Sequence, residues 1–374
     1  MLDACTIKYC HEDVCSDNMA WDEKTHISIW EQTEPFRVKL IGVEQLSLHQ
    51  SFLKVQDGNY NFYVAAGLYH GGELISPLIV SDKVPVESNP RWNFWFNFGI
   101  KMMNIPRACR ICFTLYATTR SGTSKPPNRR DTTKENKEMM KDIPIAWVNC
   151  LLISYNHELR TGRVSLRMWR DEKANPIGTC VQNSQAVAPV LHLQFDEYQL
   201  PVVFPTKDAK TLPAMDVESL QFGEEGFELL SQIIPKIDRI ISKDPLYHLS
   251  QEERSMFWKQ RKYCTTTTAS LPKLLVSAPF NNRACVQEMH RLLADWEPLD
   301  ALDALELLDS RFPDAKVREY AVKCLETFAD SDLQTYLLQL VQVLKYEPYH
   351  DSALARFLMK RGMSPLSFPP FSPQ

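Results

Sequence analysis

The feature of this sequence that most constrains its fold is a change in the spacing of apolar residues near residue 200. Before that point, apolar and polar residues alternate in short runs. In 92–98 every second residue is aromatic, which places four rings on one strand face. After it, apolar residues recur every three or four positions, which is typical of helices. Three prolines mark the linker between the two regions: Pro201, Pro205 and Pro213. The sequence therefore predicts a β domain followed by an α domain.

The first region predicts an antiparallel β-sandwich. Turn residues stand at 57–59 and 70–72, and no helical pattern separates the apolar runs. Strands this short, joined without helices, pack as two antiparallel sheets. The expected strands lie at 36–40, 60–69, 92–98, 110–117, 145–155, 163–169 and 190–195.

The second region predicts an α-helical solenoid, because its helices are short and closely connected. Ser250-Gln251-Glu252-Glu253 has the pattern of a capping box, so a helix should begin there. The tail at 362–374 contains four prolines, and we expect the solenoid to be incomplete at its C-terminus. Further helices are expected at 271–278, 282–294, 299–310, 314–329, 332–346 and 351–361.

One helix, at 336–347, is apolar almost all round. Leu337, Leu340, Val341 and Leu344 follow the spacing of one helical stripe, and Leu338 adds an apolar group on another face. A helix of this kind is expected to be buried on several sides.

Composition and local pattern set the domain boundaries. We expect a disordered leader at 1–30, the β domain at 31–200, a linker at 201–216, the helical domain at 217–361 and a proline-rich tail at 362–374. The formal net charge of -4 gives no basic field for nucleic acid, and no run of 18 apolar residues could span a membrane. The leader lacks the apolar core of a signal peptide, and the ten scattered cysteines fit reduced thiols in the cytosol.

The sequence offers no catalytic, cofactor-binding or metal-binding residues. The leader holds Cys5, Cys10 and Cys15 with His11, but the five-residue spacing does not match the cysteine pairs of zinc sites. Phosphate-binding loops, protein-kinase signatures and zinc-protease motifs do not occur.

Residues 120–141 interrupt the β region with a long basic loop. The loop lacks apolar periodicity and carries seven basic residues against three acidic ones. It is either a solvated insert or a contact with an anionic membrane leaflet, and both interpretations stay open. The candidate lipid contacts are Arg120, Lys125, Arg129, Arg130, Lys134, Lys137 and Lys141.

A series of motifs stands in a fixed order along both regions. The motifs are AGLYHGGE at 66–73, NPRWN at 89–93, IPRACRICF at 105–113, PIAWVN at 144–149, NPIGT at 175–179, DPL at 244–246, LPKLL at 271–275 and ALELLD at 304–309. This series resembles the catalytic subunit of class I phosphoinositide 3-kinases, nearest to the beta type. The resemblance covers about 27–361 and implies a C2 domain followed by the helical (PIK) domain. It also implies that the adaptor-binding, Ras-binding and kinase domains of the family lie outside this chain.

The resemblance also implies partners. The expected partners are the kinase's regulatory subunit and anionic membrane lipids, whereas ATP and Mg²⁺ belong to the kinase domain. In the family, the segment matching 244–254 presents acidic side chains to a phosphotyrosine-reading domain of the regulatory subunit. The matching candidates here are His248, Gln251, Glu252 and Glu253, with Gln251 where the family usually has an inhibitory Glu. The alternative is that this segment is only a helix start.

Three functions follow as expectations. The first is a non-catalytic C2–helical scaffold, cytoplasmic and transiently recruited to the plasma membrane. The second is a fragment of a lipid kinase that phosphorylates the inositol 3-hydroxyl with ATP. The third is a stand-alone adaptor built from the same modules.

Overall fold

The computed structural model describes residues 25–46, 60–119, 142–206 and 226–363, and all structural statements below concern these residues. Three regions discussed above lie outside these residues: the leader with its cysteines, the basic loop at 120–141 and the tail from residue 364. The chain forms a β-sandwich followed by a helical domain, which confirms the predicted β-then-α architecture.

The strands of the sandwich lie close to the predicted runs. They are β1 (Ile27–Ser28), β2 (Pro35–Glu44), β3 (Tyr60–His70), β4 (Glu73–Leu74), β5 (Ile79–Val80), β6 (Val84–Pro85), β7 (Arg91–Lys101), β8 (Arg110–Thr119), β9 (Ile143–Leu151), β10 (Arg163–Arg167), β11 (Trp169–Arg170), β12 (Val190–Phe195) and β13 (Val202–Val203).

Two antiparallel sheets face each other. One has the strand order β10-β12-β2-β7. The other has the order β11-β9-β8-β3, and the short strands β4, β5 and β6 pair along the free edge of β3. Phe62, Phe96, Phe113 and Phe195 are fully buried between the sheets. On β7, Trp92, Phe96 and Phe98 are buried and Phe94 is half-buried, so the predicted aromatic face points into the core.

The sandwich extends beyond its predicted limits of 31 and 200. Strand β1 pairs in parallel with β13, with Ile27 opposite Val202, and the Ile27 amide donates to the Pro201 carbonyl at 2.9 Å. These two-residue strands have no alternating pattern long enough to be recognised in the sequence.

The helical domain follows the predicted order of short helices. They are α1 (Gly226–Ile241), α2 (Gln251–Lys259), α3 (Arg261–Cys264), α4 (Leu271–Ser277), α5 (Arg283–Asp295), α6 (Ala301–Ala304), α7 (Ala315–Leu325), α8 (Asp330–Val343) and α9 (Ala353–Met363). Pro235 lies inside α1. Where 299–310 was expected to form one helix, α6 continues as a 3₁₀ turn over Leu305–Leu308.

Helix α8 is not buried on several sides, and this prediction was wrong. Leu333 and Leu340 point into the domain, but Leu337, Leu338 and Val341 are 39%, 66% and 49% exposed. The apolar residues of α8 form two stripes along the helix. Among the described residues, neighbouring elements pack against only one of these stripes.

The two domains contact each other at several places. Arg283 on α5 lies over the Trp30 ring, with 4.3 Å from its guanidinium carbon to the ring centroid. The Tyr349 hydroxyl, before α9, donates to the Ile153 carbonyl of the sandwich at 2.9 Å. Nearby, the Tyr155 hydroxyl donates to the Asp351 carboxylate at 3.0 Å.

Candidate functional site

The structure brings the four predicted contact residues of the helical domain together at the start of α2. His248, Gln251 and Glu252 are exposed, and Glu253 is half-buried. The seven basic residues predicted to touch lipid lie outside the described residues. We call 244–254 the docking segment, after the partner contact that the sequence analysis predicts there.

Ser250 and Glu253 form the predicted capping box. The Ser250 hydroxyl accepts from the Glu253 amide at 3.2 Å, and the Glu253 carboxylate accepts from the Ser250 amide at 2.8 Å. The hydrogen bond from the Ser250 amide holds the pKa of Glu253 below its ordinary value. The same carboxylate accepts from the Tyr247 hydroxyl at 3.1 Å and lies 3.7 Å from the Lys243 ammonium. Glu253 therefore holds the segment in shape, and its charge is already engaged.

The residues that remain available to a partner are His248, Gln251 and Glu252. They are accompanied by two exposed apolar side chains, Leu246 at 71% and Tyr247 at 37%. The segment thus offers the carboxylate of Glu252 beside exposed apolar and polar side chains.

Two basic side chains fix the segment from beneath. The buried Lys273 ammonium donates to the carbonyls of Lys243 at 2.6 Å and Asp244 at 3.3 Å, and burial lowers its pKa. The Arg311 guanidinium donates to the Pro245 carbonyl at 3.0 Å. These anchors were missed in the sequence. The only signal for Lys273 was a charged residue inside the apolar run at 271–275.

The sandwich supplies the other side of the site. The turn between β3 and β4 projects Glu73 toward α2, where its carboxylate accepts two hydrogen bonds from the Arg254 guanidinium. Between the turn and the docking segment lies a cavity of about 210 Å³, lined among others by Gly72, Tyr247 and His248. The docking segment is therefore tied to both domains.

A buried titratable cluster lies behind the turn. His70 is 4% exposed and its ring packs on Phe280 with centroids 4.2 Å apart. Burial lowers the pKa of His70 to about 4, with Asp314, Arg110 and His290 as the charged or titratable groups facing it. The His290 ring lies 3.0 Å from the Asp314 carboxylate, which holds the pKa of Asp314 well below its usual range.

The described residues were compared with the requirements of metal sites, disulfides and membrane spans. Within the described ranges, no three His, Cys, Asp or Glu side chains converge as a metal site would need. The described cysteines are free thiols. No described helix combines the length and the apolar character that crossing a bilayer requires.

Comparisons with known proteins agree with both domains. The family model described as phosphoinositide 3-kinase C2 matches residues 59–203. The model of the phosphoinositide 3-kinase family accessory domain (PIK domain) matches residues 225–369. Together they cover most of the sandwich and the helical domain.

Three relatives from Dictyostelium discoideum are similar to most of this chain. Phosphatidylinositol 3-kinase 1 is 35% identical over 91% of the chain, which spans 22% of that relative. Phosphatidylinositol 3-kinase 2 is 31% identical over 88% of the chain, spanning 20% of the relative. Phosphatidylinositol 3-kinase 3 is 34% identical over 88% of the chain, and the chain spans 18% of that relative. The chain spans about a fifth of the length of these relatives.

Proposed function

This chain carries the C2 and PIK domains of the phosphoinositide 3-kinase family, and from this premise we propose that it is a non-catalytic scaffold. In this proposal it is the C2–helical region of a class I catalytic subunit, nearest to the beta type. It receives the regulatory subunit at the docking segment and touches anionic membrane, which recruits it transiently from the cytoplasm. The lipid kinase reaction, which uses ATP and Mg²⁺ on the inositol 3-hydroxyl, belongs to the kinase domain of the whole enzyme.

The proposal rests on one observation: some residues hold the docking segment in shape, and others are left exposed to solvent. Glu253, Arg254 and the buried Lys273 fix its shape, whereas His248, Gln251 and Glu252 face solvent. A surface held in one shape before binding loses less conformational entropy when a partner arrives. This favours a docking surface over a helix start with no further role.

The regulatory domain that we propose as partner is basic where it meets this segment. Glu252 supplies an exposed carboxylate, and Gln251 supplies none. The resulting attraction should be weak, because an exposed ion pair contributes only about 0.2–1 kcal/mol.

The test is a titration of the phosphotyrosine-reading domain against wild type and Gln251→Glu. The added carboxylate should tighten binding by about 1.5- to 5-fold at low salt and by less at high salt. Gln339→Glu is the matched control, because Gln339 is exposed on α8, far along the chain from the segment. If Gln251→Glu and Gln339→Glu bind alike at both salt concentrations, the docking segment is not the contact.

We propose the basic loop as a membrane contact because the strands on either side of it end far from the docking segment. Strand β8 ends at Thr119 and β9 begins at Ile143, at the end of the sheet where β3 begins. The turn after His70 meets the helical domain at the opposite end of β3, and a strand of 11 residues spans about 35 Å. A membrane held at the loop would therefore leave the docking segment free.

A further inference from the structure

Helix α8 presents an uncharged apolar face to solvent. Leu337, Leu338 and Val341 lie within about one turn of each other, and all three are exposed. The residues at 333–344 include no Asp, Glu, Lys or Arg, although these types make up 24% of the chain. A helix face in water normally carries charged or polar side chains, and an exposed apolar patch marks a contact. We call Leu337, Leu338 and Val341 the apolar face of α8.

The polar residues beside the apolar face are amides. Gln334 and Gln342 are exposed one turn before and one turn after Leu338. A glutamine side chain both donates and accepts hydrogen bonds without carrying charge. The face therefore suits a neutral, apolar partner whose backbone groups are free to form hydrogen bonds.

The sequence of the proline-rich tail at 364–374 has this chemistry. It contains no charged residue and carries Leu366, Phe368 and Phe371 among its four prolines. Proline favours the polyproline II conformation, in which backbone carbonyls have no internal hydrogen-bond partner. Because that conformation has three residues per turn, it would place Phe368 and Phe371 on one edge, about 9 Å apart.

The end of α9 lies beside the start of α8. The Arg361 guanidinium, in the last turn of α9, donates to the Phe328 carbonyl at 3.1 Å and to the Asp330 carboxylate at 2.6 Å. From Asp330 the apolar face begins about 10 Å along the axis of α8. The tail would span about 34 Å in the polyproline II conformation, so its length is sufficient to reach the whole face.

A second copy of the chain fits the apolar face less well. A stable contact between two proteins buries about 800 Å² on each partner, from about 20–30 residues. Three apolar side chains and their neighbouring glutamines supply much less. A segment of the same chain needs less area, because a short tether gives it an effective concentration on the order of millimolar.

We propose that the proline-rich tail docks on the apolar face of α8. Phe368 and Phe371 pack against the three apolar side chains, and the flanking glutamines donate to carbonyls of the tail. The contact covers side chains that the described helices leave exposed. It does not depend on the docking segment, so it holds or fails independently of the proposed function.

Photo-crosslinking of the full chain tests this contact. The photoreactive residue p-benzoylphenylalanine replaces Gln342, which leaves the apolar face intact. The matched control places it at Lys262, which is exposed on α3, and α3 packs on α2 and α4 early in the helical domain. Trypsin cuts after Arg361, so mass spectrometry identifies a captured tail as 362–374 joined to the peptide that carries the probe.

We expect the probe at 342 to capture the tail with a yield about tenfold higher than the probe at 262. The yield should not change on dilution, because both partners belong to one chain, nor with salt, because neither carries charge. Combining Phe368→Ser with Phe371→Ser should lower the yield about fivefold, since the buried rings are lost. The control pair, Ser367→Ala with Ser372→Ala, should leave the yield unchanged.

The same measurement can overturn the inference. A crosslink from 342 to α8 of another copy, with a yield that falls on dilution, would assign the face to self-association. Capture of a different segment, or of none, would show that the tail does not dock there. Equal capture of the tail by the probes at 342 and 262 would likewise refute a specific contact.

Discussion

His70 shows how a single buried side chain couples the domain contact to pH. Its ring packs on Phe280 of the helical domain, and among the described residues neither ring nitrogen has a hydrogen-bond partner. The native state therefore keeps the imidazole neutral, with its pKa lowered to about 4 by burial. The unfolded chain instead takes up a proton below the ordinary pKa of 6.5.

We predict that this difference destabilises the fold on acidification. Between the two pKa values the unfolded state binds more protons, so stability is lost as the pH falls from 6.5 toward 4. The loss attributable to His70 between pH 7 and pH 5 should be about 2 kcal/mol. Urea unfolding of wild type and His70→Phe at both pH values measures it, with the exposed His350→Gln as control. Equal pH dependence in wild type and His70→Phe would refute this role.

The residues of the docking segment and its anchors differ in how far they could be predicted from the sequence. The capping box of Ser250 and Glu253 was predictable, because its partners are three positions apart. The anchors Lys273 and Arg311 were not, because their acceptors lie about 30 and 66 positions away. Local chemistry is visible in one sequence, whereas a long-range hydrogen bond needs the fold to bring its partners together.

At the scale of elements, the turn between β3 and β4 decides how closely the domains approach. Gly71 has φ +59°, and a Cβ there would collide with the backbone carbonyl of Arg311 in the helical domain. Gly99 on β7 has a similar φ of +67° but nothing within 4 Å of a Cβ. Comparing alanine substitutions at Gly71 and Gly99 therefore separates the free-energy cost of a left-handed backbone from the cost of a steric clash.

We predict that Gly71→Ala destabilises the protein by about 1–3 kcal/mol more than Gly99→Ala, because only the first adds a clash in a packed contact. Each substitution should also lose about 1–2 kcal/mol for the left-handed backbone. Chemical denaturation of both variants gives the difference. If the two glycines tolerate alanine equally, the turn does not press against Arg311.

Helix α8 shows that the periodicity of apolar residues does not by itself determine which of them are buried. Its apolar residues were correctly predicted to be helical, and the ring of Tyr336 stacks on Phe328 within the domain. The prediction failed for Leu337, Leu338 and Val341, because apolar spacing indicates which faces could be buried and not which faces meet a neighbour. The strands were placed more reliably, since alternation ties each side chain to one of two faces.

For the whole molecule, the domain contacts imply cooperative unfolding. Arg283 over Trp30, Tyr349 on Ile153 and Arg254 on Glu73 join the domains at three separated points. Calorimetry should therefore show one transition for wild type. Removing two of these contacts should produce two transitions, as each domain then unfolds at its own temperature.

The variant for this test combines Arg283→Ala with Tyr349→Phe, and its control combines Arg167→Ala with Tyr346→Phe away from the contacts. A single transition in both variants would show that the remaining contacts suffice for coupling. Two transitions already in wild type would contradict the prediction directly.

The position of β2 also sets the order of events during synthesis. This early strand lies between β7 and β12, with Val38 opposite both Phe96 and Phe195. At about 5–20 residues per second, the ribosome delivers β12 on the order of ten seconds after β2. During that interval β2 has an unpaired edge on the growing chain, which a chaperone could shield and which another nascent chain could join.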